Sequence, residues 1–389
     1  MIIEITYILP IKHSQPTTYI DELTCYLRWL AEHAEVLVID GSPPDVFAIH
    51  AAHWNAFAAH RAPDADIHTL NGKVQGVLTG LRYARHEKLV IADDDVRYDE
   101  AALRRIAALL EDAHVVRPQN YFEPRSWHTL WDSGRTLLNR MSGGDWPGTL
   151  GVRRSVLQAT GGYDGNVLFE NLELIRTVRA AGGREVVPLD LFVRRLPPSV
   201  RHFWSQRIRQ AYDEFARPLR LAMLLSLLPL ILTLILLRRR SMLAGGVLAV
   251  IGLAELGRRR AGGREVFPFA ASLLAPAWLV ERALCIWVAV GMRLFAKGMP
   301  YRMSVITRAA TPMNVLRQLF REPGKQPGAI WYCWQCHSYD LQYLYERRCA
   351  AHWRNKDRSS TVTSRRFHCA AGGDGYVRGP DGVLGRDVQ

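Results

Sequence analysis

Cysteine is scarce in this chain, with six among 389 residues. That is too few for a disulfide scaffold, and a chain of this length buries an ample core without covalent staples. Walker-type phosphate loops and Gly-x-Ser-x-Gly elbows are absent, which removes two common sequence signs of NTP hydrolysis and of serine hydrolases. There is no internal repeat. Nor is the chain poor in apolar residues: 48% hydrophobic against 22% charged rules out general disorder. Residues 2–11 are too short for a signal peptide and lack a basic flank and a cleavage site, so they read as a buried strand.

Acidic residues are the minority, 37 against 50 Lys and Arg, and most precede residue 217, after which long apolar runs begin. A basic excess suits nucleic acid or a membrane surface. Arg238-Arg239-Arg240 and Arg258-Arg259-Arg260 bracket an apolar run, as where a chain leaves a bilayer. The membrane is therefore the expected partner and nucleic acid is not. Residues 221–237 carry no charge over 17 positions, close to the about 20 that a spanning helix needs. Residues 241–254 give only 14, which fits a short span, a re-entrant segment or an interfacial helix. Residues 266–292 are long enough but contain Glu281-Arg282, a charge pair that must face protein or water. Two or three membrane segments are expected.

Before residue 217, short apolar runs alternate with amphipathic ones. Strands are expected over 2–11, 36–39, 66–70, 89–92 and 115–116. Helices are expected on the face of Ile20, Leu23, Leu27 and Leu30 (capped by Thr17 or Thr18), over 46–60, from Asn71-Gly72 to about Arg85, and over 99–111. This is an α/β pattern with a mostly parallel sheet and helices on both faces. In such sheets ligands bind beyond the carboxyl ends of the strands. Asp40 and Asp93-Asp94-Asp95 sit at two such ends. Three adjacent carboxylates repel one another unless a cation joins them. Hard divalent ions take carboxylate oxygens together with substrate phosphates, so the site suits a metal-bound diphosphate.

The succession Ile5…Leu9-Pro10, Val38-Ile39-Asp40-Gly41-Ser42, Asn71-Gly72-Lys73 and Ile91-Ala92-Asp93-Asp94-Asp95 resembles the nucleotide-binding half of family 2 glycosyltransferases of the GT-A fold. Pro147-Gly148-Thr149, Arg153-Arg154-Ser155, Gly161-Gly162-Tyr163-Asp164, Phe169-Glu170-Asn171-Leu172-Glu173-Leu174 and Gln206-Arg207-Ile208-Arg209-Gln210 extend the resemblance. With apolar segments following, the arrangement is similar to membrane-bound members such as ceramide glucosyltransferases and polysaccharide synthases. The resemblance implies a GT-A domain over 1–215, membrane helices over 216–296, a juxtamembrane segment over 297–325 and a flexible tail over 326–389.

It also implies roles. Asp40 would contact the base, Lys73 the nucleotide, Asp93 the ribose or the metal, and Asp95 the metal, Mg2+ or Mn2+, with Asp94 beside the donor. Where the family has its catalytic Asp this chain has Asn171, and an amide does not take up that proton. Glu170 is the expected base, with Glu173 and Asp164 as alternatives. Gln206, Arg207 and Arg209 would bind substrate near the membrane boundary, one of them neutralising the diphosphate, and Gln210 replaces the family's Trp, which argues against a long-chain polymerase. The implied activity is inverting transfer of a sugar, as a hexosyltransferase would make it, from a nucleotide-sugar donor to a lipid or glycan acceptor at the cell membrane. The catalytic domain would face the cytosol. A catalytically silent nucleotide-sugar-binding protein is the alternative that Asn171 raises. Cys333-Trp334-Gln335-Cys336-His337 matches a haem-attachment pattern, and Cys333, Cys336, Cys349 and His352 have zinc-like spacing; both read as accidents of a Cys-rich tail.

Overall fold

Residues 2–15, 19–301 and 304–321 are described by the computed structural model. The Cys-rich motifs, the tail over 326–389 and the cap expected at Thr17 or Thr18 lie outside these residues. The seven residues of β1 (Ile5–Ile11) are buried apart from a partly exposed Pro10, as suits a strand covered on both faces. Helix α1 (Ile20–Ala31) starts after Tyr19, which makes no side-chain cap bond. Strand β2 is Glu35–Asp40, and α2 (Pro44–Trp54) carries Pro44 in its first turn.

Two expectations are corrected here. The helix ends at Trp54 rather than near residue 60, because the fully buried Trp54 anchors it by donating from Nε1 to Thr24 Oγ1 at 2.8 Å. The chain then turns and forms the edge strand β3 (Ala59–Arg61). Residues 66–70 are not a strand, since their neighbourhood is held by the next helix, α3 (Gly72–Tyr83). Arg82 of α3 donates to Asp64 (2.7 Å) and Asp66 (2.8 and 2.6 Å).

Asn71 caps α3 by accepting the Lys73 N–H. Next come β4 (Lys88–Ala92), β5 (Val96–Arg97) and α4 (Glu100–Asp112), which is capped by Asp99. They are followed by β6 (Val115–Val116), β7 (Gln119–Phe122), α5 (Trp127–Met141), β8 (Thr149–Arg153) and α6 (Arg154–Ala159). Then come α7 (Glu170–Ala180), β9 (Glu185–Val186), β10 (Phe192–Arg195), α8 (Val200–Ser205) and α9 (Arg207–Tyr212). The main sheet runs β3-β2-β1-β4-β8-β6-β9 and is parallel except for β8. Alternate residues feed two cores: Tyr7, Leu9, Val36, Val38 and Val90 on one face, and Ile8, Leu37, Ile39, Leu89 and Ile91 on the other. The strand order reverses between β1 and β4, so a crevice opens beyond their carboxyl ends. A small sheet, β5-β10-β7, brings Arg195 at the end of β10 over that crevice.

Among the described residues beyond 217, three helices are long and apolar enough to cross a membrane: α10 (Pro218–Leu236), α11 (Arg240–Arg259) and α13 (Phe269–Phe295), with the short α12 (Gly263–Val266) between the last two. The second is longer than the 14 residues of its uncharged run. Glu255 pairs with Arg258 at 2.7 Å and Arg259 at 2.8 Å, and accepts from Ser272 of α13, so the helix continues through its charges. Helix α5 packs beneath α11 and α13. Gly134 allows the close approach, since a Cβ there would meet Ala275 Cα at 2.8 Å.

Glu281 of α13 faces protein. It accepts from Trp131 Nε1 and from Arg207 Nε, each at 3.2 Å. Arg207 also donates to Asp132 Oδ1 from Nη1 and Nη2, at 2.9 and 3.1 Å. Every nitrogen of this 2%-exposed guanidinium is therefore engaged by protein, although Arg207 also borders the cavity where a substrate contact is expected of it. Its contacts make it a strap between α5, α9 and α13. Arg207→Met leaves two buried carboxylates short of a partner and is expected to destabilise the fold by about 3–5 kcal/mol. Thermal unfolding in detergent measures this, and Arg207→Met/Glu281→Gln should recover part of the loss.

Candidate active site

A cavity of about 420 Å³ lies in the crevice beyond β1 and β4 and reaches α9, α10 and α13. Asp93, Asp94 and Asp95 follow β4 directly and all border it, as do Glu170, Asn171, Gln206 and Arg209. Lys73 bridges two of the acids: its Nζ lies 2.6 Å from Asp93 Oδ1 and donates to Glu170 Oε1 at 2.9 Å. Burial alone would lower the Lys73 pKa, but Asp93 and Glu170 outweigh it and hold the ammonium above its usual range. For Glu170, burial pulls upward and is outweighed by Lys73 and Arg209, so this carboxylate stays below its usual range and ionised.

The other two aspartates diverge. Asp94 Oδ2 accepts from Tyr19 Oη at 2.9 Å and pairs with His13 Nε2 at 2.8 Å. Asp95 Oδ2 accepts from Arg195 Nε at 2.8 Å, and Arg195 Nη2 reaches Asp93 Oδ2 at 3.3 Å. One cation thus already joins the first and third carboxylates. Burial, only partly opposed by Arg195 and reinforced by Asp93 and Asp94, pushes Asp95 up to about 6. Its Oδ1 is buried without a hydrogen-bond partner. Two converging carboxylates with an orphaned buried oxygen are a hard donor set that fits a divalent cation. Gly148 lets the backbone close over them, since a Cβ there would sit 2.5 Å from Asp93 Oδ2.

Asp40 does not join this group. It is 1% exposed and does not border the cavity. Its Oδ1 accepts the Ser42 N–H at 2.9 Å, and its Oδ2 meets His50 Nδ1 at 2.6 Å and His60 Nε2 at 3.0 Å. Burial is outweighed by these partners, so Asp40 stays well below the usual carboxylate range. Both oxygens are thus committed to an internal cluster with two histidines, away from the cavity where contact with a base is expected. Asn171 donates from Nδ2 to Pro147 O at 3.0 Å, a backbone-holding role.

Of the three candidate bases only Glu170 borders the cavity. Asp164 is tied to Arg308 at 2.7 Å, and Glu173, fully buried, accepts the Thr311 N–H at 2.6 Å. Burial and the nearby Asp164 push Glu173 up to about 7. A carboxyl raised in the folded state favours the fold while protonated, and that contribution fades as pH rises from about 4.5 through about 7. Glu173→Gln is expected to lessen this slope, read as a thermal midpoint that falls less between those pH values than in the wild type, Asp95 and Asp213 keeping their share.

The structure adds residues that the sequence reading missed. Arg195 lies 100 positions after Asp95, and only the β5-β10 pairing brings the two together. Asp213 borders the cavity with an unpartnered buried Oδ1. Burial and the negative Glu170, against the pull of Arg209, lift it to about 7. Arg217, Arg220 and Arg282 border the inner end.

No protein-family model matches the sequence, and no curated protein matches it. Among solved structures, the chain is similar to the mannosyltransferase PcManGT from Pyrobaculum calidifontis in complex with GDP-Man and Mn2+, at 19% identity and a TM-score of 0.46 over 73% of this chain and 87% of that one. It is also similar to mannosyl-3-phosphoglycerate synthase from Rubrobacter xylanophilus, at 15% identity and a TM-score of 0.38 over 56% and 74%. A third is glucosyl-3-phosphoglycerate synthase from Mycobacterium tuberculosis in complex with Mn2+, UDP and glucosyl-3-phosphoglycerate, at 16% identity and a TM-score of 0.38 over 53% and 77%.

Proposed function

We propose that the chain is a metal-dependent, inverting glycosyltransferase of the GT-A type, a hexosyltransferase acting from a nucleotide-sugar donor on a lipid or other membrane-proximal acceptor. The observation that carries the reading is the line of groups Asp95, Arg195, Asp93, Lys73 and Glu170, joined by contacts of 2.6–3.3 Å at the strand-order reversal. Such a line suits a reaction in which a diphosphate leaves at one end and a nucleophile arrives at the other. Asp93 and Asp95 would hold the cation, Mg2+ or Mn2+, which when bound neutralises charge on the leaving diphosphate. Lys73 and Arg195 add fixed positive charge on the same side. Glu170, ionised and within the cavity, takes the proton from the acceptor hydroxyl as its oxygen attacks the anomeric carbon from the face opposite the diphosphate, which inverts that centre. Asp94, Gln206 and Arg209 border the donor's path.

Three apolar helices following the α/β part support a multi-pass protein of the cell membrane with its catalytic part in the cytosol, where nucleotide sugars are made. The test is a screen of the full chain in detergent against UDP- and GDP-sugars with Mn2+ or Mg2+. Release of nucleoside diphosphate that needs both the cation and a lipid extract is expected. Absence of metal-dependent binding and turnover for every donor would remove the reading.

A further inference from the structure

The inner end of the cavity holds guanidinium groups whose partners do not suffice. Arg207 is matched by Asp132 and Glu281, and Arg135 by Asp132 and Asp145, each at 3.0 Å. Arg217 and Arg220 share the single carboxylate of Glu214, at 3.0 and 3.2 Å. Arg282 has no acidic partner among the described residues. It is 2% exposed, its one hydrogen bond runs from Nη2 to Gln210 Oε1 at 3.3 Å, and its Nε and Nη1 are buried without a partner. The Nε of Arg217 is likewise buried and without a partner, while Arg220 spends its Nε on Glu214 and its Nη1 on Asn139 Oδ1 at 2.7 Å.

A buried guanidinium without a counter-charge is unfavourable unless an anion completes it. The several unfilled N–H groups call for a ligand with several acceptor oxygens, and phosphate is the group that arginine pairs with bidentately. Position indicates where it comes from. Arg217 directly precedes α10, Arg220 lies in its first turn, and Arg282 lies within α13. The cluster therefore sits where two apolar helices join the α/β part, while Asp93, Asp95, Lys73 and Arg195 serve the donor's diphosphate under the transferase reading. Beside it, Leu219 and Met223 of α10 turn outward, 88% and 58% exposed.

Building on that reading, we propose that the acceptor is an amphiphile whose headgroup carries a phosphate, held by Arg282, Arg217 and Arg220 while a hydroxyl of the same headgroup faces Glu170. Transfer is then measured with the full chain in phosphatidylcholine vesicles containing either phosphatidylglycerol, which has both phosphate and hydroxyl, or diacylglycerol, which has only the hydroxyl. Sugar is expected on the phospholipid and not on diacylglycerol. Arg282→Gln should raise the acceptor KM roughly 10- to 100-fold without moving the donor KM, with Arg282→Lys between. Arg220→Gln provides the same readout if Arg282→Gln fails to fold. Calorimetry with a short-chain phosphatidylglycerol, with no donor present, separates this inference from the transferase reading, since binding weakened by Arg282→Gln supports the phosphate site whatever the donor. Equal transfer to diacylglycerol, equal lipid binding by wild type and variant, or a change confined to the donor KM would each overturn it.

Discussion

Asp95→Asn is expected to lower sugar transfer by about 10³-fold, with most of the loss recovered by no concentration of Mn2+ or Mg2+. Charge and donor count decide the size of the loss. Asp93 Oδ1 is already taken by Lys73, so Asp95 offers the freer carboxylate of the pair, and its Oδ1 has no partner at all. An amide there keeps the shape but halves the anionic donors facing a cation. Arg195 sharpens the prediction. In the wild type it bridges both carboxylates, so an incoming metal competes with a resident guanidinium; in the variant, Arg195 keeps only a neutral acceptor at position 95 and its charge is drawn more strongly to Asp93. Both effects weaken metal binding. Asp94→Asn is the control of equal charge. Its carboxylate faces His13 and Tyr19, and a loss within about tenfold is expected. Metal titration of nucleoside diphosphate binding checks the pair: if Asp95→Asn and wild type bind alike, the cation is not held here.

Asp93, Asp94 and Asp95 were legible in the sequence because the signal is local. Four apolar residues specify a strand, and the acids that end it have nowhere to go but its carboxyl edge. The Asn71 cap and α3 were legible for the same reason. What escaped depends on pairing across distance. Arg195 reads as one more arginine in a short strand until β10 pairs with β5. Arg207 read as a phosphate ligand because its motif says arginine. Only the packing of α9 against α5 and α13 shows Asp132 and Glu281 closing on it, and no local pattern encodes that encounter. Asp40 is the converse case. Its place at the end of β2 was legible, but His50 and His60, 10 and 20 positions on, hold it away from the cavity, and no local pattern links the three. The second apolar helix was underestimated because an uncharged run measures composition, whereas the helix extends through Glu255, Arg258 and Arg259 by pairing them.

Glu170→Gln carries the second large expectation, a fall of about 10²- to 10⁴-fold in kcat with donor binding retained. Gln keeps the volume and can still accept from Lys73, so the substitution removes basicity while leaving the neighbourhood in place. Donor affinity measured by titration with nucleoside diphosphate and Mn2+ should therefore stay near the wild type, which separates loss of chemistry from loss of fold. The pH profile identifies the proton acceptor. With Lys73 and Arg209 holding Glu170 below its usual range, kcat at Mn2+ concentrations that keep Asp95 ionised should stay level from neutral pH down to about 4.5, where an unperturbed glutamate would begin to titrate. Asp213 predicts otherwise: a base lifted to about 7 would make the rate fall as pH drops through that value. An acid limb near 7 that vanishes in Asp213→Asn would transfer the role to Asp213. If instead the wild type and Glu170→Gln both bind donor and neither releases sugar to any lipid, Asn171 marks a silent binder, because no carboxylate in the cavity is then acting as a base.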